Sequence, residues 1–300
     1  MGEASAFSPG HLTGFFQICD EVDDPLLKGA RGAGFSITLG VHTRVMAEAA
    51  HRNALTVKIN GEVTHVATVS ENVVTRMTSP LDKPHRIVVE HEVQIPIGGG
   101  FGSSGGGALS LALALNEALN LGMSRTEAAQ VAHIAEIECR TGLGTVLAEL
   151  TGGFGVMVKP GAPGIGETVR FKHGDLSAVC LPFGPIPTKE ALSNLGLRRR
   201  INEVGGRFVD ELRGDQSKEL FMCLSRRFAE HVGLITPRLR AVLEETDRAG
   251  IPCTMVMFGE VVFTLVESGK VERASSVLRN AAPGQMILVA EIDEQGARLT

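Results

Sequence analysis

A glycine-rich segment, IPIGGGFGSSGGGA at residues 95–108, carries the clearest chemical signal in this chain. Its glycines leave backbone N–H groups open to a polyanion. The apolar run LSLALALNEALNL that follows predicts a buried helix, whose N-terminus adds unpaired donors and partial positive charge. The segment therefore predicts a phosphate site. Because Mg²⁺ prefers hard oxygen ligands, the hydroxyl of Ser103 or Ser104 is suited to contact a phosphate or its bound metal.

Other glycine-rich motifs fit this segment less well. It lacks the Gly-Lys-Ser/Thr of a Walker loop, and a dinucleotide-binding fingerprint leaves the paired Ser103 and Ser104 unexplained. A flexible linker is the remaining alternative, but linkers rarely lie between a proline-started turn and a strongly apolar helix. A phosphate-binding loop is the favoured interpretation.

A second group of polar side chains is predicted on one helix. The sequence SRTE at 124–127 has capping-box spacing and predicts the helix start, and RTG at 140–142 predicts its end. Between them, His133, Glu136 and Arg140 are spaced i, i+3 and i+7, so they share one face and could line one site. One carboxylate together with substrate phosphates is a common way to hold Mg²⁺. A solvated helix face is the alternative interpretation.

Two short basic segments are candidates for binding anions. Lys28 and Arg31 lie among glycines at 29, 32 and 34, which predicts a loop suited to a carboxylate, since an Arg fork gives bidentate geometry. Charge on an exposed loop is the alternative for this segment. For the run RRR at 198–200, a solvated basic turn is favoured over a phosphate contact across a dimer.

The elements that must position these residues predict an α+β fold. Residues 35–93 contain four segments typical of strands, TLGVHTRVMAEA, LTVKIN, VTHVATV and RIVVEHEV. The Pro/Gly cluster KPGAPGIGE at 159–167 predicts a boundary between domains of residues 1–167 and 168–300. The second half has helical segments at 218–232 and 237–248, a strand pair in CTMVMFGEVVFTLVE, and a helix followed by a strand ending near Ala290.

Composition restricts the class of partner. The net charge is −5 and there is no Trp or Tyr, so neither a basic surface nor aromatic stacking platforms are evident, and nucleic acid is not an expected partner. The cysteines are scattered without a C-x-x-C pair, which predicts neither disulfides nor a zinc site. The N-terminal residues lack a signal-peptide pattern, and the longest apolar run is too short to span a bilayer. We expect a cytoplasmic protein with no membrane partner.

The glycine-rich segment resembles the central motif of the GHMP kinase superfamily. SPGH at 8–11 is similar to its N-terminal motif, and MVMFG at 255–259 lies where its third motif is expected. Within the superfamily, SPGHLTGFFQI, DPLLKGARGAG, AHIAEIECRTGLG and INEVGG resemble the archaeal pantoate kinases, and the likeness spans most of the chain. The resemblance implies a two-domain GHMP kinase fold, with a β-rich N-terminal α/β domain and a C-terminal ferredoxin-like α+β domain.

The same resemblance implies roles for particular residues. Ser104 and Glu136 become the catalytic pair that holds Mg²⁺. With the basic segment included, the substrate-binding set is His11, Lys28, Arg31 and His133. The ATP-binding set is Pro96, Gly98, Gly99, Gly100, Phe101, Gly102, Ser103, Ser104, Gly105 and Gly106. ATP and Mg²⁺ are the implied cofactors, pantoate is the implied acceptor at its 4-hydroxyl in coenzyme A biosynthesis, and a homodimer is expected.

Three positions depart from the pattern of the family that the chain resembles. The Asp taken there to accept the proton of the attacking hydroxyl is Thr145, the third catalytic candidate. A usual Ser is Ala30, and an expected Arg is Met157. Since phosphoryl transfer depends mostly on positioning and charge neutralisation, loss of a base is compatible with activity. The alternatives are a GHMP kinase for another small hydroxy acid and a catalytically weak, nucleotide-binding regulatory paralogue.

Overall fold

Long strands near the N-terminus build the larger of two β-sheets in the computed structural model, which describes residues 2–186 and 193–300. Its strands are β1 (Gly2–Cys19), β2 (Gly29–Ala49), β3 (Ala54–Ile59), β4 (Glu62–Thr64), β5 (His85–Val93), β6 (Phe154–Lys159), β7 (Glu167–Arg170) and β12 (Arg298–Leu299). They are ordered β12-β1-β2-β5-β3-β4, and β6 pairs with both β2 and β7. Strands β3 and β5 run parallel, whereas β1 and β2 form a long antiparallel pair.

Strand β2 is long enough to pair with two strands in succession. Its residues 32–35 pair with β6, and its residues 41–49 pair with β5. Strand β1 lies on the other side of β2, and the register of the β1–β2 pairing shifts at Pro9/Gly10 and at Thr13/Phe15. Such irregularities bend a strand locally. Proline has no N–H to donate to a neighbouring strand, so it is tolerated where the ladder of hydrogen bonds is already interrupted. These irregularities lie where β1 meets the glycine-rich segment, since the His11 N–H donates to the carbonyl of Phe101 at 2.9 Å.

Helices of the first part pack against this sheet and against one another. They are α1 (Thr68–Thr78), α2 (Ser103–Ala118), α3 (Arg125–Cys139) and α4 (Thr145–Thr151). Helix α2 contacts β1 and β2, and α1 and α3 pack on α2. With neighbours on several sides, α2 is buried almost all round, as its sequence predicts. Ser124 begins α3 with the predicted capping box, and Arg140 ends it at φ 57°.

The second sheet has the predicted ferredoxin-like topology. Its strands are β8 (Leu176–Pro185), β9 (Thr254–Met255), β10 (Gly259–Glu267) and β11 (Leu288–Glu291), all antiparallel and ordered β11-β8-β10-β9. Helices α5 (Leu195–Asp215), α6 (Lys218–Val232) and α7 (Pro237–Arg248) lie between β8 and β9, and α8 (Val271–Ala281) lies between β10 and β11. This β-α-β-β-α-β order confirms the α+β class.

One hydrophobic core joins the two sheets. Phe35 and Phe154 of the larger sheet lie 6.0 and 5.1 Å, ring centre to ring centre, from Phe221 of α6. A separate cluster fills the space between the larger sheet and α1, α2 and α3. The Pro/Gly cluster connects β6 to its neighbour β7, and β7 continues the larger sheet beyond residue 167. The division into domains of residues 1–167 and 168–300 stays a proposal.

Two predicted segments have a different structure. The strand predicted for VTHVATV ends at Thr64, and α1 begins at Thr68, because burial of Val73, Val74 and Met77 outweighs the strand propensity of its β-branched residues. The basic, glycine-bracketed loop is instead the start of β2, which begins at Gly29.

The glycines of this segment are explained by close strand packing. A Cβ added to Gly32 would lie 2.9 Å from the carbonyl oxygen of Phe15 on the neighbouring strand β1. Glycine is the residue that such an approach requires.

The predicted basic turn at 198–200 is wrong as well. These residues lie in α5, whose neighbouring Leu197 and Ile201 are buried. Helix α5 and strand β1 have no counterpart among the sequence-based predictions. In the described ranges, no helix combines the length and apolar character needed to cross a membrane.

Candidate active site

The glycine-rich segment forms a turn that leads directly into α2. Gly98, Gly100 and Gly102 have φ values of 71°, 79° and 76°, in the left-handed region that glycine adopts at little cost. Gly102 is the N-cap of α2, and no described side chain caps this helix end. The N–H groups of the first turn, which includes Ser103 and Ser104, are therefore available to a phosphate.

The three segments that resemble family motifs meet in space. Besides the bond between His11 and Phe101, the N–H of Met257 donates to the carbonyl of Thr13 at 3.1 Å. A Cβ added to Gly259 would lie 1.9 Å from the carbonyl oxygen of Gly99, so glycine is required for this close approach. The chain thus brings residues far apart in sequence against the glycine-rich segment.

A cavity of about 650 Å³ lies beside the start of α2. The glycine-rich segment contributes Ile97, Gly98, Gly100, Gly102, Ser103, Ser104, Gly105, Gly107 and Ala108 to its lining. Of the predicted ATP-binding set, Pro96, Gly99, Phe101 and Gly106 do not line the cavity, and Phe101 is instead buried in the core. No lysine or arginine is among the described residues that line it.

Ser104 and Glu136 are brought together at this cavity. The Ser104 hydroxyl donates to Glu136 Oε1 at 2.5 Å, and the Thr141 hydroxyl donates to the same oxygen at 2.6 Å. Glu136 is only 3% exposed, which rules out the solvated helix face considered from the sequence. Burial raises the pKa of Glu136, and the two hydroxyl donors partly oppose that rise. The site is thus a buried carboxylate with two oxygen neighbours.

Glu149 is a second buried carboxyl group, which sequence reasoning missed. It is fully buried in α4, and neither side-chain oxygen has a hydrogen-bond partner among the described residues. A Cβ on Gly102 would lie 2.3 Å from one of these oxygens, and a Cβ on Gly105 would lie 3.0 Å from the other. Burial, followed by the nearby Glu136, raises the pKa of Glu149 well above its ordinary value. Glu149 lies four residues after Thr145, so the two share one face of α4. This spacing was the signal in the sequence that could have identified Glu149.

The residues predicted to bind a carboxylate make internal contacts instead of lining the cavity. Arg31 donates to the carbonyl of Val158 at 2.9 Å and to Gln17 at 3.2 Å, and it forms an ion pair with Asp210. His133 Nε2 lies 3.1 Å from the carbonyl oxygens of Pro25 and Lys28. Burial lowers the pKa of His133, and those two carbonyls oppose the shift. Lys28, Arg31 and His133 are not among the described residues that line the cavity.

His11 lies at the cavity, and so do all three positions that depart from the family pattern. Ala30, Thr145 and Met157 line the same cavity as His11. A Cβ on Gly144 would lie 3.1 Å from Met157 Cε and 3.4 Å from Ala30 Cβ, so both of these side chains lie close to Gly144, beside the start of α4. The wall that they form offers one hydroxyl, from Thr145, and otherwise carbon and sulfur atoms.

The chain has a glycine-rich helix start beside a buried carboxylate, in an α+β fold with two linked sheets. This arrangement is the one expected of a small-molecule kinase. The family model described as "GHMP kinases N terminal domain" matches residues 47–153. The pantoate kinase of Thermococcus kodakarensis is 34% identical over 91% of each chain, and that of Methanocaldococcus jannaschii is 33% identical over 91% of this chain and 97% of the other. The chain belongs to the GHMP kinase superfamily and, within it, to the pantoate kinase family.

A solved structure agrees with this assignment. A protein described as "Phosphotransferase related to CoA biosynthesis pathway" superposes with a TM-score of 0.90 at 32% identity, covering 99% of this chain and 98% of the other. Both sheets and the connection between them are therefore shared along the whole length.

Proposed function

We propose that this chain transfers the γ-phosphoryl group of ATP to the 4-hydroxyl of pantoate, giving 4-phosphopantoate for coenzyme A biosynthesis. The observation that carries the proposal is the Ser104–Glu136 pair, which opens to the cavity at the uncapped start of α2. The names of the relatives, pantoate kinase in each case, support pantoate as the acceptor.

The residues at this pair fit Mg²⁺. A hydroxyl and a carboxylate supply the hard oxygen ligands that the ion prefers. The described residues contain no cluster of three or more His, Cys, Asp or Glu side chains that could enclose a metal, so Ser104 and Glu136 would hold the ion together with phosphate oxygens and water. Bound there, Mg²⁺ would neutralise phosphate charge during transfer.

The chain's own groups account for binding and alignment of ATP. N–H groups in the first turn of α2 would donate to phosphate oxygens, and the helix dipole favours their negative charge. The positive-φ glycines allow the backbone to approach the phosphates closely. Since the transition state of phosphoryl transfer is loose, such positioning and electrostatic stabilisation supply most of the rate enhancement.

A second acceptor is favoured by one specific observation. The wall made by Ala30, Met157 and Thr145, with no described lysine or arginine in the cavity lining, suits a more apolar hydroxy acid than a site with a cationic clamp would. We therefore keep another small hydroxy acid as the alternative substrate of the same kinase. Acceptor binding by His11, Lys28, Arg31 and His133, with Lys28 and Arg31 on its carboxylate, and a role for Thr145 in catalysis stay predictions from the sequence. The internal contacts of Arg31 lead us to expect only a small contribution from that residue.

An acceptor screen tests the proposal. ADP release is measured with ATP, Mg²⁺ and a panel of small hydroxy acids that includes pantoate, and phosphorylated products are identified by mass spectrometry. Pantoate should have the highest kcat/KM and yield one singly phosphorylated product. A higher kcat/KM for another hydroxy acid replaces pantoate, and ATP binding without transfer to any acceptor overturns the kinase proposal. Light scattering on the same preparation tests the proposed homodimer.

A further inference from the structure

Three apolar side chains of the cavity lining project from one face of the larger sheet. Gly32 of β2 pairs with Phe16 of β1 on one side and with Met157 of β6 on the other. Residues that pair across a sheet, and residues two apart in one strand, project from the same face, so Phe16, Met157 and Ala30 share it. A Cβ added to Gly32 would lie 2.9 Å from Phe16 Cβ, which agrees with this placement. We call these three residues, all of which line the cavity, the apolar face.

The apolar face lies close to the Ser104–Glu136 pair. A Cβ added to Gly142 would meet Glu136 Oε2, and a Cβ added to Gly144 would lie 3.1 Å from Met157 Cε. Two residues of chain span at most about 7 Å. Both glycines line the cavity as well. The buried carboxylate and the apolar face are therefore neighbouring parts of one cavity wall.

Phe258 covers this region from the second sheet. It lies in the turn between β9 and β10, is half-buried and lines the cavity. Its ring lies 5.5 Å from the ring of Phe16, centre to centre, in an edge-to-face arrangement. The turn is held from both ends, because the Met257 N–H donates to the carbonyl of Thr13 and Gly259 packs against Gly99. The aromatic ring thus has a fixed position above the apolar face.

The backbone at Phe258 has a conformation that is unfavourable for a bulky residue. Its φ is 60°, in the left-handed region that glycine adopts at little cost. Outliers of this kind persist where the surrounding structure holds them in place, and they concentrate at ligand sites. A phenylalanine at this position of the turn indicates that its side chain has a use in the cavity.

The chemistry of these side chains selects the kind of group that they can bind. Phe16, Ala30, Met157 and Phe258 offer only carbon and sulfur atoms, and no described lysine or arginine lines the cavity. Such a surface binds a hydrocarbon by removing apolar area from water. In an apolar pocket, one additional carbon of a substrate typically changes kcat/KM by roughly tenfold to two-hundredfold.

We propose that the apolar face and Phe258 bind the hydrocarbon part of the acceptor and that Phe258 determines specificity, an inference that rests on the proposed kinase function. The acceptor's hydroxyl must reach the phosphate proposed to bind at Ser104 and Glu136. The carbon atoms next to that hydroxyl then lie against the apolar face. The substrate class is a hydroxy acid with a branched carbon beside its CH₂OH group. Pantoate belongs to this class, because that carbon carries two methyl groups.

The test measures kcat/KM for two pairs of acceptors that differ in their methyl groups. The pairs are pantoate with 2,4-dihydroxybutyrate, and hydroxypivalate with 3-hydroxypropanoate. Wild type should prefer the branched acid of a pair by roughly tenfold or more. In Phe258→Gly the ring is lost while the left-handed backbone becomes favourable, so a folded protein should show a preference below about threefold. KM for ATP should change by less than about threefold.

Two further variants separate contact with the acceptor from a structural role. Phe258→Leu retains an apolar side chain and should keep part of the preference. Met157→Gln retains the length of the side chain but places an amide on the apolar face, so the preference should fall. Gln216→Gly is the matched control for the backbone change, since Gln216 has φ 61°, is exposed and lies outside the cavity lining. It should keep the wild-type preference.

Each failure of the experiment has its own meaning. If wild type uses both acids of a pair equally or prefers the unbranched one, or if Phe258→Gly and Met157→Gln keep the wild-type preference, the inference is overturned and the kinase function stands. Transfer to hydroxypivalate but not to pantoate counts against the proposed acceptor and supports the apolar site. A wild type that phosphorylates none of the four acids overturns both.

Discussion

The start of α2 and the start of β2 both carry residues that the sequence singles out, yet their functional groups have different surroundings. At α2, Ser104 is half-buried beside the cavity, and the first-turn N–H groups have no described side-chain cap. At β2, the Arg31 guanidinium is already bonded to Val158, Gln17 and Asp210. The first region offers unsatisfied groups to a ligand, and the second uses its groups to join parts of the protein.

This difference has a chemical origin. The proposed phosphate binding at α2 would depend on backbone N–H groups and on glycines that uncover them, and a local sequence determines both. Binding by an arginine depends on where a long side chain points, which its distant neighbours determine. Asp210 lies far along the chain from Arg31, and local sequence gives no sign that the two meet.

Substitution of Ser104 should have the largest effect. Ser104→Ala removes the hydroxyl that contacts Glu136 and is proposed to face the metal, so we expect kcat to fall on the order of a hundredfold in a folded protein. Steady-state kinetics with a circular dichroism control measures this. Ser276→Ala is the control, because Ser276 is exposed on α8 and lies outside the cavity lining. Near-normal turnover in Ser104→Ala would remove the contrast between the two regions.

Glu136→Gln should act on the same site by another route. The variant keeps the shape of the side chain and its contacts with Ser104 and Thr141, but it removes the charge that Mg²⁺ would need. The Mg²⁺ concentration for half-maximal rate should rise about tenfold or more. A Mg²⁺ titration at saturating ATP measures the change, and Glu138→Gln on the exposed side of α3 is the control. An unchanged titration curve would return Glu136 to a purely structural role.

Glu149→Gln should change stability in a pH-dependent way. Folding raises the pKa of Glu149 above its ordinary 4.5 because of burial and, secondarily, Glu136, so the folded state binds more protons than the unfolded state between these two values. The stabilising contribution of this group is then full below about pH 4.5 and declines as pH rises toward the raised pKa. The variant should therefore gain Tm relative to wild type as pH increases.

Thermal unfolding from pH 4.5 to 8.5 measures this gain. Each unit of pKa shift corresponds to about 1.4 kcal/mol. Glu117→Gln, exposed near the end of α2, is the control that should show no such trend. A constant Tm difference between wild type and Glu149→Gln across the range would mean that Glu149 is ionised in the folded protein.

Arg31→Ala should have the smallest effect on kinetics. The internal contacts of Arg31 lead us to expect a change of less than about threefold in KM for the acceptor, and a loss of unfolding free energy of about 1 kcal/mol. Kinetics with both substrates, together with chemical denaturation, checks these values. A large rise in KM for the acceptor alone would show that Arg31 exchanges its internal partners for a carboxylate, and it would support the prediction made from the sequence.

The sequence alone identified the features that depend on neighbouring residues. The glycine-rich segment and α2, the capping box of α3, and the bounds of α6 and α7 were predicted correctly, because capping, glycine content and helical periodicity act within a few residues. The pairing of Ser104 with Glu136 was implied by resemblance to a family, and the structure brings these two side chains into contact.

Tertiary structure decided the features that depend on distant contacts. Strand β1 escaped prediction because its glycines and Pro9 interrupt the pattern of a strand, and it is stabilised by pairing with β2. The contact of 3.3 Å between His11 Nδ1 and Ser36 Oγ requires the pairing of β1 with β2, and the raised pKa of Glu149 requires a core around it. Burial and hydrogen-bond partners are properties of the folded chain, since residues remote in sequence create them, and so the proton chemistry of this cavity is visible only in three dimensions.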